Sequence, residues 1–470
     1  MNKEHCSSAN RRELREKRRR RIVRSQLAPL LVAAGAATVC ALPPSAAADT
    51  PIPLTDPFPI QSLPTPSDFS GNQTFWGGTG AARAPDGTFV TAWASAAETA
   101  SGYRDIYMRR VDASGNPVGS ATPVSSVPLA ANEDRILVSP VLMDAAGNFA
   151  IAWFDYSVTF PYGKSVQIRL FTSDGLPRGP DIRLDSPSAP TGGAPRLAMD
   201  DAGDFVAAWS NSAGTRGVAH LYNADGTPKS SRTIYLAHEP SAVAMNRATG
   251  EFAVASLIQH NLLALPPSTE IASYATYVQR YDAKGRARGL PIRRTGRCIS
   301  IFVGVQQYGC LIGSPGVLLS DSGEWVLSWL QRNGDGDQIR AQRFKPSNLK
   351  DGAPITIASS IPSGDTFWNY STGNDGSGAF VVVWNYRRDL GPPTINGPVI
   401  YGRSVTAGGA LNGDPVAISI PSSMVGNVVE LHEADYPAVA LGPDGHFLTI
   451  WEEHLSQRDI SDNSILLDRV

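Results

Sequence analysis

One phrase constrains this chain more than any other: a Gly-containing turn, an aromatic residue, a β-rich run and then Trp. It occurs as "PDGTFVTAW" (85–93), "AAGNFAIAW" (145–153), "DAGDFVAAW" (201–209), "SDSGEWVLSW" (320–329), "GSGAFVVVW" (376–384) and "PDGHFLTIW" (443–451). A seventh copy, "ATGEFAVAS" (248–256), carries Ser256 in place of Trp. Repetition on this scale means one supersecondary unit used many times. Phe89 and Trp93 are four residues apart, as are Phe205 and Trp209, so on a strand they share a face. The residues between them, such as Val90 and Ala92, are also apolar. A strand apolar on both faces is buried on both faces.

Each phrase has the same neighbours. A short strand precedes it ("SPVLMD", "APRLAMD", "YPAVALG"). A variable loop and a third strand follow ("DIYMRRVDA", "VQIRLFTS", "VIYGRSVTA"). Then come a second turn, usually with Gly, and a fourth strand such as "PVAISIP". Four antiparallel strands repeated seven times predict an all-β fold, a seven-bladed β-propeller of four-stranded antiparallel blades spanning residues 49–470. The seventh repeat stops after its third strand, "SILLDRV" (464–470). "DPFPI" (56–60) matches "DPVAI" (414–418), so the N-terminal stretch 56–63 is expected as the outer strand that closes the last blade. Pro57 and Pro59 fit an edge position.

The first 48 residues differ in kind. A basic run "RRELREKRRRRIVRSQ" precedes the apolar stretch "LAPLLVAAGAATVCAL", and Ala46-Ala47-Ala48 offers a small-residue cleavage site. This pattern predicts a secretory signal peptide, 1–48, and a secreted product: extracellular, cell-surface or periplasmic. The apolar run is shorter than the roughly 20 residues that span a bilayer, so no membrane span is expected after cleavage. The whole chain has a formal charge of −2, and the arginine run contributes +7 within residues 1–48, leaving about −9 for the rest. That balance gives no electrostatic footprint for nucleic acid. Cys298 and Cys310 remain after cleavage and predict a disulfide in an oxidising compartment.

The stretches "DQIRAQRF", "YVQRYDAKG" and the pattern GxFVVxW resemble the β-propeller repeats of bacterial secreted and surface proteins, over nearly all of residues 49–470. The resemblance implies architecture and no particular catalytic residue.

Two connections per blade are short and alike, and two vary, so one rim of the ring is uniform and the other diverse. Ligand-binding residues are expected on the diverse rim. There the sequence places Asp155, Tyr156, Arg332, Trp368, Tyr386, Arg387, Arg388, His432 and Glu433, with Glu133, Asp134, Arg135 and Asp365 between blades. "NGDGDQ" (333–338) sets Asn333, Asp335 and Asp337 at alternate positions, a calcium-like pattern without the Gly and Glu of an EF-hand loop. Otherwise no cofactor is expected. Glu452, Glu453 and His454 could supply paired carboxylates for glycoside chemistry. Neither GxSxG nor HExxH occurs. The leading expectation is a non-catalytic exported binding or adhesion module for an extracellular glycan or protein surface. The alternative is a carbohydrate-active hydrolase or lyase on the same scaffold, with a purely structural surface protein as a third class.

Overall fold

The computed structural model describes residues 34–41, 52–53, 58–61, 78–95, 103–130, 133–137, 140–157, 164–185, 191–211, 216–265, 269–303, 306–309, 311–312, 315–333, 336–360, 366–387, 398–419, 422–425, 428–442, 444–459 and 464–469. For some strand residues only the backbone is described.

The chain is an all-β propeller. Blade 1 comprises Thr79–Arg83, Phe89–Ser95, Asp105–Val111 and Pro117–Pro123, hydrogen-bonded in that order. Blade 3 (Arg196–Met199, Phe205–Ser210, Gly217–Tyr222, Ile234–Leu236) and blade 6 (Thr366–Asn374, Phe380–Arg387, Val399–Val405, Leu411–Ala417) repeat the pattern. In blade 2 the first strand is split into Glu133–Leu137 and Leu142–Met143, before Phe149–Ser157, Lys164–Phe171 and Ile182–Arg183. Blade 4 has Ala242–Met245, Phe252–Leu265, Thr269–Tyr281 and Ala287–Val303, with Gln306–Gly309 added at its edge. Blade 5 starts with Leu311–Ile312 and Gly316–Leu319, followed by Trp325–Asn333, Gly336–Phe344 and Lys350–Ser359.

The expectation of seven like blades is corrected here. Among the described residues six blades are four-strand antiparallel runs, each cut from one stretch of chain. The remaining sheet is composite. It combines Ser423–Val425, Val428–Leu441, Phe447–Asp459 and Ser464–Arg469 with Ala34–Ala41, Ile52–Pro53 and Phe58–Gln61. The predicted closing strand also finds a different neighbour. Phe58–Gln61 lies in this sheet but pairs with Ala34–Ala41, whereas Ser464–Arg469 pairs with Phe447–Asp459. The reason is occupancy: Ala34–Ala41 takes the edge of Phe447–Asp459 from Phe447 to Trp451.

The repeated aromatics fill the spaces between sheets. Phe205–Ser210 is buried at every position, so both its faces are packed. On one side Phe205, Ala207 and Trp209 join Leu142, Val166 and Ile168 of blade 2. On the other, Val206 and Ala208 join Phe252 and Val254 of blade 4. The same bridging continues from sheet to sheet. It returns to its start where Ala438, Leu448 and Ile450 of the composite sheet pack on Ala81, Phe89 and Val111 of blade 1. The core is therefore a closed ring of inter-sheet clusters rather than one central mass.

The polar letters of the repeat hold its turns. In the first turn Asp144 Oδ1 accepts the backbone N–H of Ala146 (2.9 Å) and Asn148 (2.8 Å), while Gly147 takes φ 80°, which glycine adopts without steric penalty. Asp200 does the same for Ala202 and Asp204. In the third strands, Arg109, Arg169 and Arg403 donate from Nε to the carbonyls of Gly119, Gly179 and Gly413 (2.9, 3.3 and 2.8 Å). Gln342 serves the same purpose toward Gly352 at 3.1 Å. These side chains close the second turn and are not ligands in waiting.

Candidate binding mouth of the central channel

The first strands of all the sheets converge on a central channel of about 680 Å³. At the end carrying the uniform Gly turns, its wall is made by Met143, Met199, Met245, Leu319 and Leu441. At the opposite end, where the variable loops enter, Gly78, Ser241, Asn369 and Tyr436 line it.

Strand alternation sorts the "WEE" run at this mouth. Trp451 is fully buried in the interface between blade 6 and the composite sheet. Glu453, two residues on, shares that face, is itself buried, and accepts the Trp451 indole N–H at 3.2 Å. Blade 2 repeats the device: Asp155 Oδ1 accepts the Trp153 indole N–H at 2.9 Å. Glu453 and Asp155 are thus anchors for buried tryptophans. The signal was in the sequence as Trp-x-Asp and Trp-x-Glu.

Glu452 points to the other face. It lies directly opposite Asp435 in the ladder, so the two carboxylates share a face. Burial, then the neighbouring Asp435 charge, push the Glu452 carboxyl up to about 7, against weaker opposing effects of Arg104 and the backbone N–H of Gly78. Asp435 is held by the side-chain amide of Asn385. Next to it, Tyr436 is exposed at 36% and sits at φ 50°, a left-handed conformation that bulky residues rarely adopt. Its carbonyl accepts the Thr79 hydroxyl at 2.7 Å. Burial first, then Glu452 and Asp435, raise the Tyr436 hydroxyl above its ordinary range, so it is a neutral hydrogen-bond donor near pH 7. Arg104, nearby, is clamped to Asp134 at 3.0 Å.

The other candidates separate clearly. Asp155 also receives Arg135 Nε at 3.2 Å and Ser165 Oγ at 3.1 Å, and Arg135 reaches Asp105 at 2.9 Å. These residues form an inward network rather than a rim surface. Tyr156 is half-buried against the cluster between blades 2 and 3. Tyr386 is half-buried too, with ring centroids 5.5 Å from Phe367 and 5.8 Å from Tyr401. Asp337 is buried; its carboxylate accepts the Phe367 N–H at 3.0 Å, and its own N–H donates to Ser360 Oγ at 2.7 Å. It ties blade 5 to blade 6 instead of facing the "NGDGDQ" hairpin, where Asn333 pairs with Gly336. Arg332, Asn333, Trp368, Arg387, His432, Glu433, His454 and Cys298 lie on strands, but their side chains fall outside the described residues. Asp335, Asp365, Arg388 and Cys310 lie outside them entirely. Among the described residues no three His, Cys, Asp or Glu side chains gather into a metal-sized group, and no helix is long and apolar enough to cross a membrane. Sequence reasoning placed the run "HEAD" (432–435), which ends at Asp435, on the variable rim, but it did not pair Asp435 with Glu452 and it missed Tyr436.

No known family matches the chain, and no curated protein does. Among solved structures it is similar to a protein of unknown function from Dyadobacter fermentans DSM 18053 (TM-score 0.40, 11% identity, covering 81% of this chain and 96% of that one). It is also similar to an ulvan lyase representing a polysaccharide lyase family (TM-score 0.37, 12% identity, 83% and 93%). A third is an endo-arabinase from Bacteroides thetaiotaomicron (TM-score 0.30, 13% identity, 58% and 90%). No activity is carried over from them.

Proposed function

We propose that the chain is an exported, non-catalytic binding module, cut after Ala48, that takes an extracellular glycan at the variable-loop mouth of its channel. The composite sheet acts as its seventh blade. The observation that carries this reading is Tyr436: an exposed aromatic, held in a left-handed conformation, beside a carboxylate pair. Strained conformations of this kind are retained where the surroundings over-determine them, commonly at binding sites. An aromatic face with adjacent hydrogen-bond acceptors suits the apolar face and the hydroxyls of a sugar ring. The negative balance of residues 49–470 argues against nucleic acid as the partner. A protein surface is the other partner class. Binding of the purified protein to a glycan array, with and without calcium, tests the reading. Binding that Tyr436→Ala abolishes is expected; binding to no glycan overturns it. The calcium arm also tests the loop at Asn333, Asp335 and Asp337. The Cys298–Cys310 disulfide is part of the proposal, and peptide mapping under non-reducing conditions checks it.

One observation favours the second reading, a carbohydrate-active hydrolase or lyase. A carboxyl raised to about 7 beside another carboxylate can hold a proton at neutral pH and deliver it, as a general acid must. Release of reducing ends or unsaturated products from a bound polysaccharide, lost in Glu452→Gln, would establish it.

A further inference from the structure

In all six blades the third strand meets the second in one register. The aromatic that opens the second strand faces the last apolar residue of the third: Phe89 with Val111, Phe149 with Phe171, Phe205 with Tyr222, Phe252 with Tyr281, Trp325 with Phe344 and Phe380 with Val405. "SILLDRV" (464–470) matches "DIYMRRV" (105–111) position by position, with Ile465 at the place of Ile106, Leu467 of Met108 and Val470 of Val111. Ile106 and Met108 are buried. The common register therefore sets Val470 opposite Phe447 and Arg469 opposite Leu448.

The composite sheet departs from it. Arg469 lies opposite Leu455, seven residues farther along, and the places opposite Phe447 and Trp451 belong to Cys40 and Ala36. The displacement is seven places at Leu467, Asp468 and Arg469 and, past an irregularity between Gln457 and Arg458, six at Ser464 and Ile465. The intruding strand is "AGAATVCA", mostly small residues, drawn from the stretch expected to leave with the signal peptide.

We propose that Ala34–Ala41 is a placeholder strand, and that cleavage after Ala48 lets Ser464–Val470 slide seven residues inward into its slot. This rests on the export reading above, not on the glycan reading. Removal of the placeholder leaves the backbone edge from Phe447 to Trp451 without its ladder, beside fully buried Phe447, Leu448 and Trp451. Unpaired buried backbone groups are strongly disfavoured. The sliding strand restores the ladder with larger apolar residues. It also regains a second neighbour, because Phe58–Gln61 loses Ala34–Ala41 at the same moment and matches the fourth strand of blade 6. In the blade 6 register, where Gly402 faces Val416, Leu467 faces Phe58. The exported form then has a four-strand seventh blade that the unprocessed chain lacks.

Cysteine pairs in the full chain report the register. Ser456→Cys with Asp468→Cys links in the present arrangement, where these residues face one another. Thr449→Cys with Asp468→Cys links only after the slide. A specific protease site placed between Ala48 and Asp49 makes the cut independent of cellular export, and mass spectrometry of linked peptides identifies each bridge. The 456–468 link is expected before cutting, with a shift of most of the population to the 449–468 link after it. A cut chain that keeps the 456–468 link, or forms neither, overturns the proposal. So does an uncut chain that already forms the 449–468 link.

Discussion

Arg83 and Asp444 are 361 residues apart in sequence, yet the guanidinium of one grips the carboxylate of the other through two parallel hydrogen bonds of 2.6 Å. Arg83 ends the first strand of blade 1, and Asp444 lies in the turn that opens Phe447–Asp459 of the composite sheet. The pair is a latch across the point where the ring closes. Its planar, two-pronged geometry fixes orientation as well as distance. The same junction also holds a buried apolar cluster, in which Ala81 and Phe89 meet Ala440 and Leu448.

Breaking the latch should cost little in neutral buffer and less in acid. The Arg83 side chain is 9% exposed and that of Asp444 45% exposed, so solvent screening reduces the interaction to about 1 kcal/mol. Burial acts to raise the Asp444 carboxyl, but hydrogen bonds from His446 and Arg83 outweigh it and hold the group below its ordinary 3.8. A carboxyl depressed on folding stabilises above its unfolded value, and the contribution is lost as pH falls through the folded one. A double-mutant cycle of Arg83→Ala with Asp444→Ala, by urea unfolding, should show coupling at pH 7 that is lost as pH falls below the ordinary carboxylate range. Coupling that persists in strong acid would contradict the assignment.

Trp209→Ala tests the inter-sheet packing on which the ring depends. Trp209 is buried between blades 2 and 3, with its ring stacked 5.4 Å from that of His220. Removing it leaves a cavity in a close-packed interface, for an expected loss of about 3–5 kcal/mol. An unchanged unfolding midpoint would mean that the aromatic ladder is not what joins the blades.

Glu452 should make stability fall with pH through the neutral range. Its carboxyl is raised from 4.5 to about 7 by burial and by Asp435. A group whose pKa rises on folding contributes stability that is complete below the unfolded value and lost as pH rises through the folded one. The wild type should lose on the order of 2 kcal/mol relative to Glu452→Gln between pH 4.5 and 8. Parallel stability curves for the two proteins over that range would show that the carboxyl is not buried beside a second charge.

The architecture was legible because Phe and Trp at i and i+4 identify a strand face whatever surrounds it. Phe205–Ser210 needed nothing more to be placed between two sheets. The rim was less legible. Asp155 read as a ligand-binding residue of the diverse rim, but its contacts depended on Trp153 two residues earlier and on Arg135 twenty residues away. Glu453 likewise depended on Trp451 two residues earlier, while its neighbour Glu452 lay on the opposite strand face, which Leu448 and Ile450 share toward blade 1. The closing strand lies in the composite sheet but pairs there with Ala34–Ala41, not with Ser464–Arg469. Sequence similarity to "DPVAI" specifies a strand type, and it carries no information about a competing stretch such as Ala34–Ala41 that can occupy the same edge.

Tyr436→Gly separates binding from folding at the channel mouth. The residue is in left-handed backbone, φ 50°, where a side chain is strained and glycine is not. Relief of that strain, about 1 kcal/mol, is offset in part by the extra freedom glycine has when unfolded. Thermal stability should therefore stay within about 1 kcal/mol of the wild type. The Thr79 hydroxyl still reaches the backbone carbonyl at position 436, so the mouth keeps its shape. The aromatic face is gone, however, and with it the surface on which a sugar ring can stack. Glycan affinity should drop at least tenfold in Tyr436→Gly and recover in Tyr436→Trp, which restores an aromatic face at the cost of the same backbone strain. If Tyr436→Gly binds as tightly as the wild type, the ring serves packing alone and the ligand, if any, sits elsewhere on the variable rim.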